Sequence, residues 1–381
     1  MSAALAIYTS GRQDWGILLP VARALAARWP VAVIAGGLHR RAALPESLAR
    51  WPPAALLDDL PANDSDPAIA AAAGRTLQGL AQALPAVGAQ ALLVVGDRLE
   101  TLAAGVAATA LRLPLIHLHG GETTLGAIDD RCRHALTRLA ALHAVAHPSY
   151  RERLLAWGEP AERIVVSGAP ALDALYAAAL PDATTLAREL GGPLGRPLVL
   201  VCLHPATLGA DPAREAQAVR EGVSAALAAL PEARVLITRP NSDAGSAAIA
   251  AAWQAWAAAD PRVLLAGDLG SERWWGLMAQ ASALVGNSSS ALLEAPSFDL
   301  PVLNVGERQR GRLRVGRVWD APDEPAAIAE ALRAILARDE PLPRARRPSA
   351  LGDGQAAARI AAAVADLLAL PERERLRKAV A

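Results

Sequence analysis

Lysine is almost missing from this chain: of 381 residues only Lys378 is one, so arginine carries nearly all the positive charge. No function follows from that bias alone. Cysteine is nearly absent too. Cys132 and Cys202 stand far apart with no CxxC or Cys/His spacing, which excludes a disulfide framework and a zinc site and suits a reducing cytoplasm. There is no excess of either charge, with 38 basic residues against 38 acidic ones and no basic stripe, so the footprint of a nucleic-acid or membrane-surface binder is lacking. An anionic ligand must therefore be met by local groups. No uninterrupted apolar run reaches the roughly 18 residues that a membrane-spanning helix needs. The opening MSAALAIYTSGRQDWG lacks a basic leader region, so it reads as a retained first β-strand and not as a signal peptide.

Apolar residues make up 53% of the sequence and charged residues 20%, a globular composition, and the length fits two domains of roughly 150 to 200 residues each. Short runs rich in Val, Ile and Leu alternate with Ala-rich stretches at helical spacing, which predicts parallel sheets covered by helices on both faces. The first series of strands is expected at Leu5–Thr9, Val31–Ala35, Leu92–Val95, Leu115–Leu118, Ala144–Ala146 and Ile164–Val166. The second is expected at Leu198–Leu203, Val235–Thr238, Val263–Leu265, Ala283–Val285, Val302–Val305 and Arg317–Trp319. Between them PDATTLARELGGPLGRP breaks structure with paired Gly and Pro and marks a hinge. The expected fold class is α/β, with two doubly wound Rossmann-like domains facing across a cleft. Residues 1–184 form the first domain and 185–352 the second, and an Ala-rich helix at about 353–369 packs back on the first.

Such a fold presents side chains to a ligand just after its strands. In ALVGNSSSALLEAPSF a buried strand runs through Gly286 into Asn287, Ser288, Ser289 and Ser290, small residues that let a phosphate approach the N–H groups of a helix start. Ser290 and Glu294 share a helix face, which points Glu294 at a ribose; a well-capped helix with a solvated glutamate is the plain alternative. GERQRGR follows the strand at Val302–Val305 and offers Arg308, Arg310 and Arg312, whose forked guanidinium groups suit a diphosphate. TSGRQDWG places Arg12 at a strand-to-helix turn.

Acidic candidates gather at other strand ends. Asp97 ends ALLVVGDRLE beside Arg98 and Glu100, Glu122 ends PLIHLHGGE, and Asp129 and Asp130 precede a helix carrying Arg133 and His134. An aspartate before a helix is often only an N-cap. Grouped with His117, His119 and His134, however, these carboxylates could deliver and remove protons at a sugar carbon. His204 ends VLVCLHPAT in the second half. His39, His143 and His147 are read as structural.

The motifs TSGRQDWG, GDRLE, IHLHGGETTLGAIDDRCRHALTRLAALH, HPAT, RPNSDAGS and GNSSSALLEAPSFDLPVLNVGERQRGR, in this order and spacing, resemble the hydrolysing UDP-N-acetylglucosamine 2-epimerases of sialic acid biosynthesis and their bacterial relatives. The resemblance implies a glycosyltransferase-B-like fold with no metal and no nicotinamide or other cofactor. It also implies a UDP-2-acetamido sugar as ligand and a homo-oligomer, dimer or tetramer. Arg12, Arg98, His204, Asn241, Asn287, Ser288, Ser289, Ser290, Glu294 and Arg308 are expected on the substrate or its UDP. Asp97, Glu122, Asp129, His119 and Asp130 are expected at the chemistry, supported by Arg133 and His134. The implied reaction removes the C2 proton and UDP to give a 2-acetamidoglucal, then hydrates it to UDP and free N-acetylmannosamine. One position departs from the pattern: where several members have glutamate, immediately before the position of the Gly-Gly pair, this chain has His119. That version resembles relatives acting on UDP-2,4-diacetamido-2,4,6-trideoxyglucose in the legionaminic acid pathway. A glycosyltransferase, a non-hydrolysing epimerase and a silent nucleotide-sugar sensor are the competing readings.

Overall fold

The computed structural model describes residues 4–40, 44–63, 65–206, 211–240, 245–267, 269–338 and 340–378. The chain divides into two compact units. Unit 1 is Met1–Glu122, Asp129–Ala174 and Ala350–Ala381; unit 2 is Thr123–Ile128 and Leu175–Ser349.

Unit 1 is built on β1 (Ala4–Thr9), β2 (Val31–Ala35), β3 (Ala55–Leu56), β4 (Ala89–Val95), β5 (Leu115–Leu118), β6 (Leu142–Val145) and β7 (Ile164–Val166), all parallel, in the order β3-β2-β1-β4-β5-β6-β7. Every residue of β1 is buried, as a central strand covered on both faces requires. Leu5 and Ile7 pack on one face with Trp15, Leu18 and Leu25 of the helix Arg12–Ala26 and with Ile360 and Val364 of the helix Ala356–Ala369. Ala6 and Tyr8 point the other way, toward Leu80, Leu84 and Leu136. Period-two burial in β1 thus fixes two helical layers.

Unit 2 repeats the plan with β8 (Leu198–Cys202), β9 (Arg234–Ile237), β10 (Val263–Leu265), β11 (Ala283–Gly286), β12 (Val302–Val305) and β13 (Val318–Ala321), parallel and ordered β10-β9-β8-β11-β12-β13. Each sheet winds in both directions from its first strand, so its topological switch point lies between β1 and β4 in unit 1 and between β8 and β11 in unit 2. β3 escapes the sequence pattern because two residues show no periodicity. β6 begins two residues before the expected start, and β13 occupies Val318–Ala321 instead of Arg317–Trp319. Among the described residues no helix is long and apolar enough to cross a membrane.

The single lysine has a structural place. Lys378 Nζ donates to the Thr137 and Arg138 carbonyls at the end of the helix Asp129–Leu139 and, at 2.6 Å, to Glu159. Glu159 is buried and also meets Arg138 and His143. Burial pushes its carboxyl up and pulls the Lys378 ammonium down, but the hydrogen bonds from His143 and Lys378 prevail and hold Glu159 at about 2, below the 4.5 of a free glutamate. A depressed carboxyl stabilises the fold fully above about pH 4.5, and that contribution drains as the pH falls toward about 2. Lys378→Met should cost about 2 kcal/mol at neutral pH, since Arg138 and His143 remain as partners. Urea unfolding at pH 7 and again near pH 3 should show that difference shrinking on acidification. A variant as stable as the parent at pH 7 would contradict this role for Lys378.

Candidate active site

In unit 1 the polar residues after β1, β4 and β5 share the carboxyl edge of the sheet. Val95 pairs with Leu118, so Gly96 and Asp97 stand beside His119 on the neighbouring strand end. His117 is fully buried and its Nε2 donates to the Gly96 carbonyl at 2.8 Å. Burial lowers this imidazole to about 3. It is therefore a neutral prop for the Gly96–Asp97 turn, which corrects its expected place among the proton carriers.

The helix Asp129–Leu139 delivers the next groups. Arg133, 1% exposed, ion-pairs with Asp97 and lies 3.4 Å from Asp130. His134 Nε2 is 3.0 Å from the second Asp130 oxygen, and its ring packs edge-on against Trp157 at 4.6 Å. Burial lowers the His134 pKa against the pull of Asp130, so the ring is a neutral donor. The result is one chain of contacts, Asp97–Arg133–Asp130–His134, in which a buried guanidinium joins carboxylates from β4 and the helix. Asp129 opens that helix at partial exposure. Arg98 pairs with Glu100 at 3.7 Å, and Arg12 is exposed at the start of its helix.

His119 and Glu122 form a second pair, with Nδ1 2.6 Å from the carboxylate and both residues buried. With Glu122 ionised, Nδ1 is the donor of this pair, and a neutral ring then presents its lone pair at Nε2. Nε2 is buried with no hydrogen-bond partner among the described residues. His119 also has a φ of 65°, a left-handed conformation uncommon outside glycine, and such outliers gather at functional sites. A base oriented by a carboxylate is the arrangement that proton transfer needs.

In unit 2 the switch point is clamped by Asn287, which is fully buried. Its Oδ1 accepts from the His204 N–H and its Nδ2 donates to the His204 carbonyl, each at 2.8 Å. Gly286 allows this approach, since its φ is 137° and a Cβ there would lie 2.1 Å from the Cys202 carbonyl oxygen. Arg308 donates from Nε to the Pro205 carbonyl at 3.2 Å and from Nη1 to the Asn287 carbonyl at 3.1 Å. The buried Gln309 donates to the same Asn287 carbonyl at 2.9 Å. Ser288 caps the following helix by accepting from the Ser290 N–H, Ser290 donates to Glu294, and Trp274 donates to Ser290 at 2.8 Å. Burial raises the Glu294 carboxyl. Ser289 is exposed at the first turn. That helix, Ser289–Leu293, has only five residues, so attraction for an anion rests on local N–H groups and Arg308 more than on a long helix dipole. Asn241 lies outside the described residues.

The three arginines expected at this edge part company. Arg308 folds onto the strand ends, whereas Arg310 pairs with Glu307 at the surface and Arg312 reaches Gln309. Their loop instead receives Thr123–Ile128: the Leu125 N–H donates to the Arg310 carbonyl and Thr123 to that of Gly311, each at 2.9 Å. Only glycine fits at 126, where a Cβ would lie 2.4 Å from the Glu307 carbonyl oxygen and 2.7 Å from the Arg308 Cα. Gly126 and Gln309 fall within the quoted motifs, but neither type stands out in a loop. Arg153, which donates to the Gly121 carbonyl, carried no sequence signal either. Among the described residues no group of His, Cys, Asp or Glu is arranged to hold a metal ion.

Comparison with known proteins places the chain in a family and a fold. A hydrolysing GDP/UDP-N,N'-diacetylbacillosamine 2-epimerase of Campylobacter jejuni is 34% identical over 231 residues, 60% of this chain but only 59% of that protein's length. The hydrolysing UDP-N,N'-diacetylbacillosamine 2-epimerase of Legionella pneumophila is 32% identical over 299 residues, covering 78% of this chain and 76% of the relative. Among solved structures, the Staphylococcus aureus MnaA-UDP co-structure superimposes with a TM-score of 0.78 at 18% identity, over 97% of this chain and 98% of that one, which speaks for the fold. Residues 27–365 match the family described as UDP-N-acetylglucosamine 2-epimerase, and the chain belongs to that family.

Proposed function

We propose that the chain is a hydrolysing 2-epimerase of a UDP-activated 2-acetamido sugar. The observation that carries the reading is the pairing of proton-handling groups at adjacent strand ends, Asp97 with Arg133 and His119 with Glu122, in a chain of this family. The C2 hydrogen of such a sugar is weakly acidic and its removal needs a positioned base, while the departing diphosphate needs cationic and N–H donors. Asp97 and the His119–Glu122 pair serve as the two proton-handling groups. One accepts the C2 proton as the C1–O bond breaks and UDP leaves; the other assists water addition across the C1–C2 double bond, hydroxyl to C1 and proton to C2. Asp129 and Asp130 frame the sugar, with Arg133 and His134 holding Asp130 and Asp97 in place. His204, Asn287, Ser288, Ser289, Ser290, Glu294 and Arg308 are assigned to UDP in unit 2, and Arg12 and Arg98 are assigned to the substrate in unit 1.

Within this reading, UDP-2,4-diacetamido-2,4,6-trideoxyglucose, that is UDP-N,N'-diacetylbacillosamine, takes precedence over UDP-N-acetylglucosamine. Both relatives described above are named for that substrate, and His119 departs in the same direction.

Purified protein incubated with each nucleotide sugar should release UDP and a free 2-epimeric sugar, with the larger kcat/KM for the diacetamido substrate. Faster turnover of UDP-N-acetylglucosamine to N-acetylmannosamine would reverse the substrate order, and a product still attached to UDP would exclude hydrolysis. UDP release that depends strictly on an added acceptor would move the chain to sugar transfer. Asp97→Asn keeps the shape that Arg133 holds but removes the charge. It should lower kcat by about 10² to 10⁴ while the Kd for UDP stays within about 3-fold, read by steady-state kinetics and calorimetry. Unchanged kcat would remove Asp97 from the chemistry.

A further inference from the structure

Three buried carboxyls in unit 1 have clear occupations. Asp59 accepts from Tyr8, Gly37 and Thr76, Glu159 anchors Lys378, and Glu122 orients His119. Glu215 in unit 2 is different. It stands in the first turn of the helix Pro212–Ala226 and is 5% exposed. Its carboxyl accepts from the Ala206 N–H in the turn after β8, and its Oε1 lies 3.4 Å from where a Cβ on Gly306, the first residue after β12, would sit. Its Oε2 has no hydrogen-bond partner among the described residues. The carboxyl therefore touches the same two turns that Arg308 joins through its bond to the Pro205 carbonyl.

We propose that Glu215 is a positioning residue of the anion site in unit 2, bracing the Pro205–Ala206 turn against Gly306 and so setting where Arg308 holds its guanidinium. This rests on the reading of that strand edge as a diphosphate site. The charged groups acting on Glu215 are Arg308, which favours its ionised form, and Asp323 and Asp211, which oppose it. Burial raises the acid to about 7; the Ala206 N–H and Arg308 offset this in part and the two aspartates reinforce it. Below that pH Glu215 is an uncharged brace. Above it, a carboxylate draws on the Arg308 charge and repels an incoming diphosphate. Anion binding then favours the protonated form, so binding in the alkaline range takes up a proton at Glu215.

The test is calorimetric titration of UDP into the wild-type protein and Glu215→Gln between about pH 6 and about pH 9, in buffers of different ionisation enthalpy. Glutamine keeps the shape and the acceptor but cannot ionise, and titration of UDP itself is common to both proteins. Wild-type affinity should fall on the order of 5-fold more than that of the variant across this range, as expected for one partly screened charge. Proton uptake near pH 8 should be larger in the wild type. Glu215→Ala, which removes the brace, should weaken UDP at every pH, with Glu215→Gln restoring binding at the acid end. Identical pH profiles in wild type and Glu215→Gln would overturn the proposal, as would wild-type proton uptake no greater than UDP's own phosphate accounts for, a result that needs no variant. Wild-type protein that binds no UDP at any pH would overturn the diphosphate reading and this inference with it; binding with matched profiles overturns only the role of Glu215.

Discussion

Parallel pairing makes every strand of each sheet finish at one edge, and that constraint governs what this chain can bring to a ligand. The central strands are largely apolar and buried on both faces, so most polar side chains with chemical use fall in the few residues after each strand. At the switch point of unit 2 the consequence is visible in Asn287, whose amide closes a two-bond ring on the His204 backbone and ties the β8 and β11 ends together. At the corresponding edge of unit 1 the tie is ionic, with Arg133 reaching from a helix to Asp97 after β4 and to Asp130 on its own helix.

The two edges solve different physical problems. Unit 2 offers N–H groups, hydroxyls and one well-placed guanidinium, and its helix is too short to rely on a dipole. Unit 1 concentrates carboxylates, whose mutual repulsion must be held in check. Arg133, almost fully buried, does this for Asp97 and Asp130, at a desolvation cost that only paired charges can offset. His119 adds a local strain, left-handed backbone at a non-glycine residue, and in return its imidazole meets Glu122 and keeps Nε2 buried. The histidine inside β5 and the one just after it therefore diverge: His117 is locked neutral under the Gly96 turn, while His119 pairs with Glu122.

Much of this was legible in the residues because buried parallel strands leave a strong mark. Val31–Ala35, Leu115–Leu118, Ile164–Val166, Val263–Leu265 and Val302–Val305 fall where their apolar runs put them. The polar residues directly after those runs could be named as candidates for the same reason. What sequence could not convey is depth and partnership. Glu215 sits in the first turn of an Ala-rich helix, where a glutamate reads as a solvated residue, yet the fold buries it between the nearby Pro205–Ala206 turn and Gly306, far away in sequence. Gly126 matters only because Glu307 and Arg308 come within van der Waals reach after folding. The arginines at 308, 310 and 312 look alike in the motif, but the fold sets Arg308 on the Pro205 and Asn287 carbonyls, Arg310 on Glu307 and Arg312 on Gln309. His117 and His119 likewise differ by burial and partner, not by type.

We propose that this chain breaks the C2–H bond of a UDP-2-acetamido sugar while expelling UDP, and then takes a new hydrogen at C2 from water. Running the reaction in deuterated water and reading the released sugar by mass spectrometry and proton NMR tests it directly. Elimination followed by hydration places one solvent deuterium at C2 of every product molecule, with the configuration there inverted. A released sugar that keeps its original C2 hydrogen would rule out elimination and hydration.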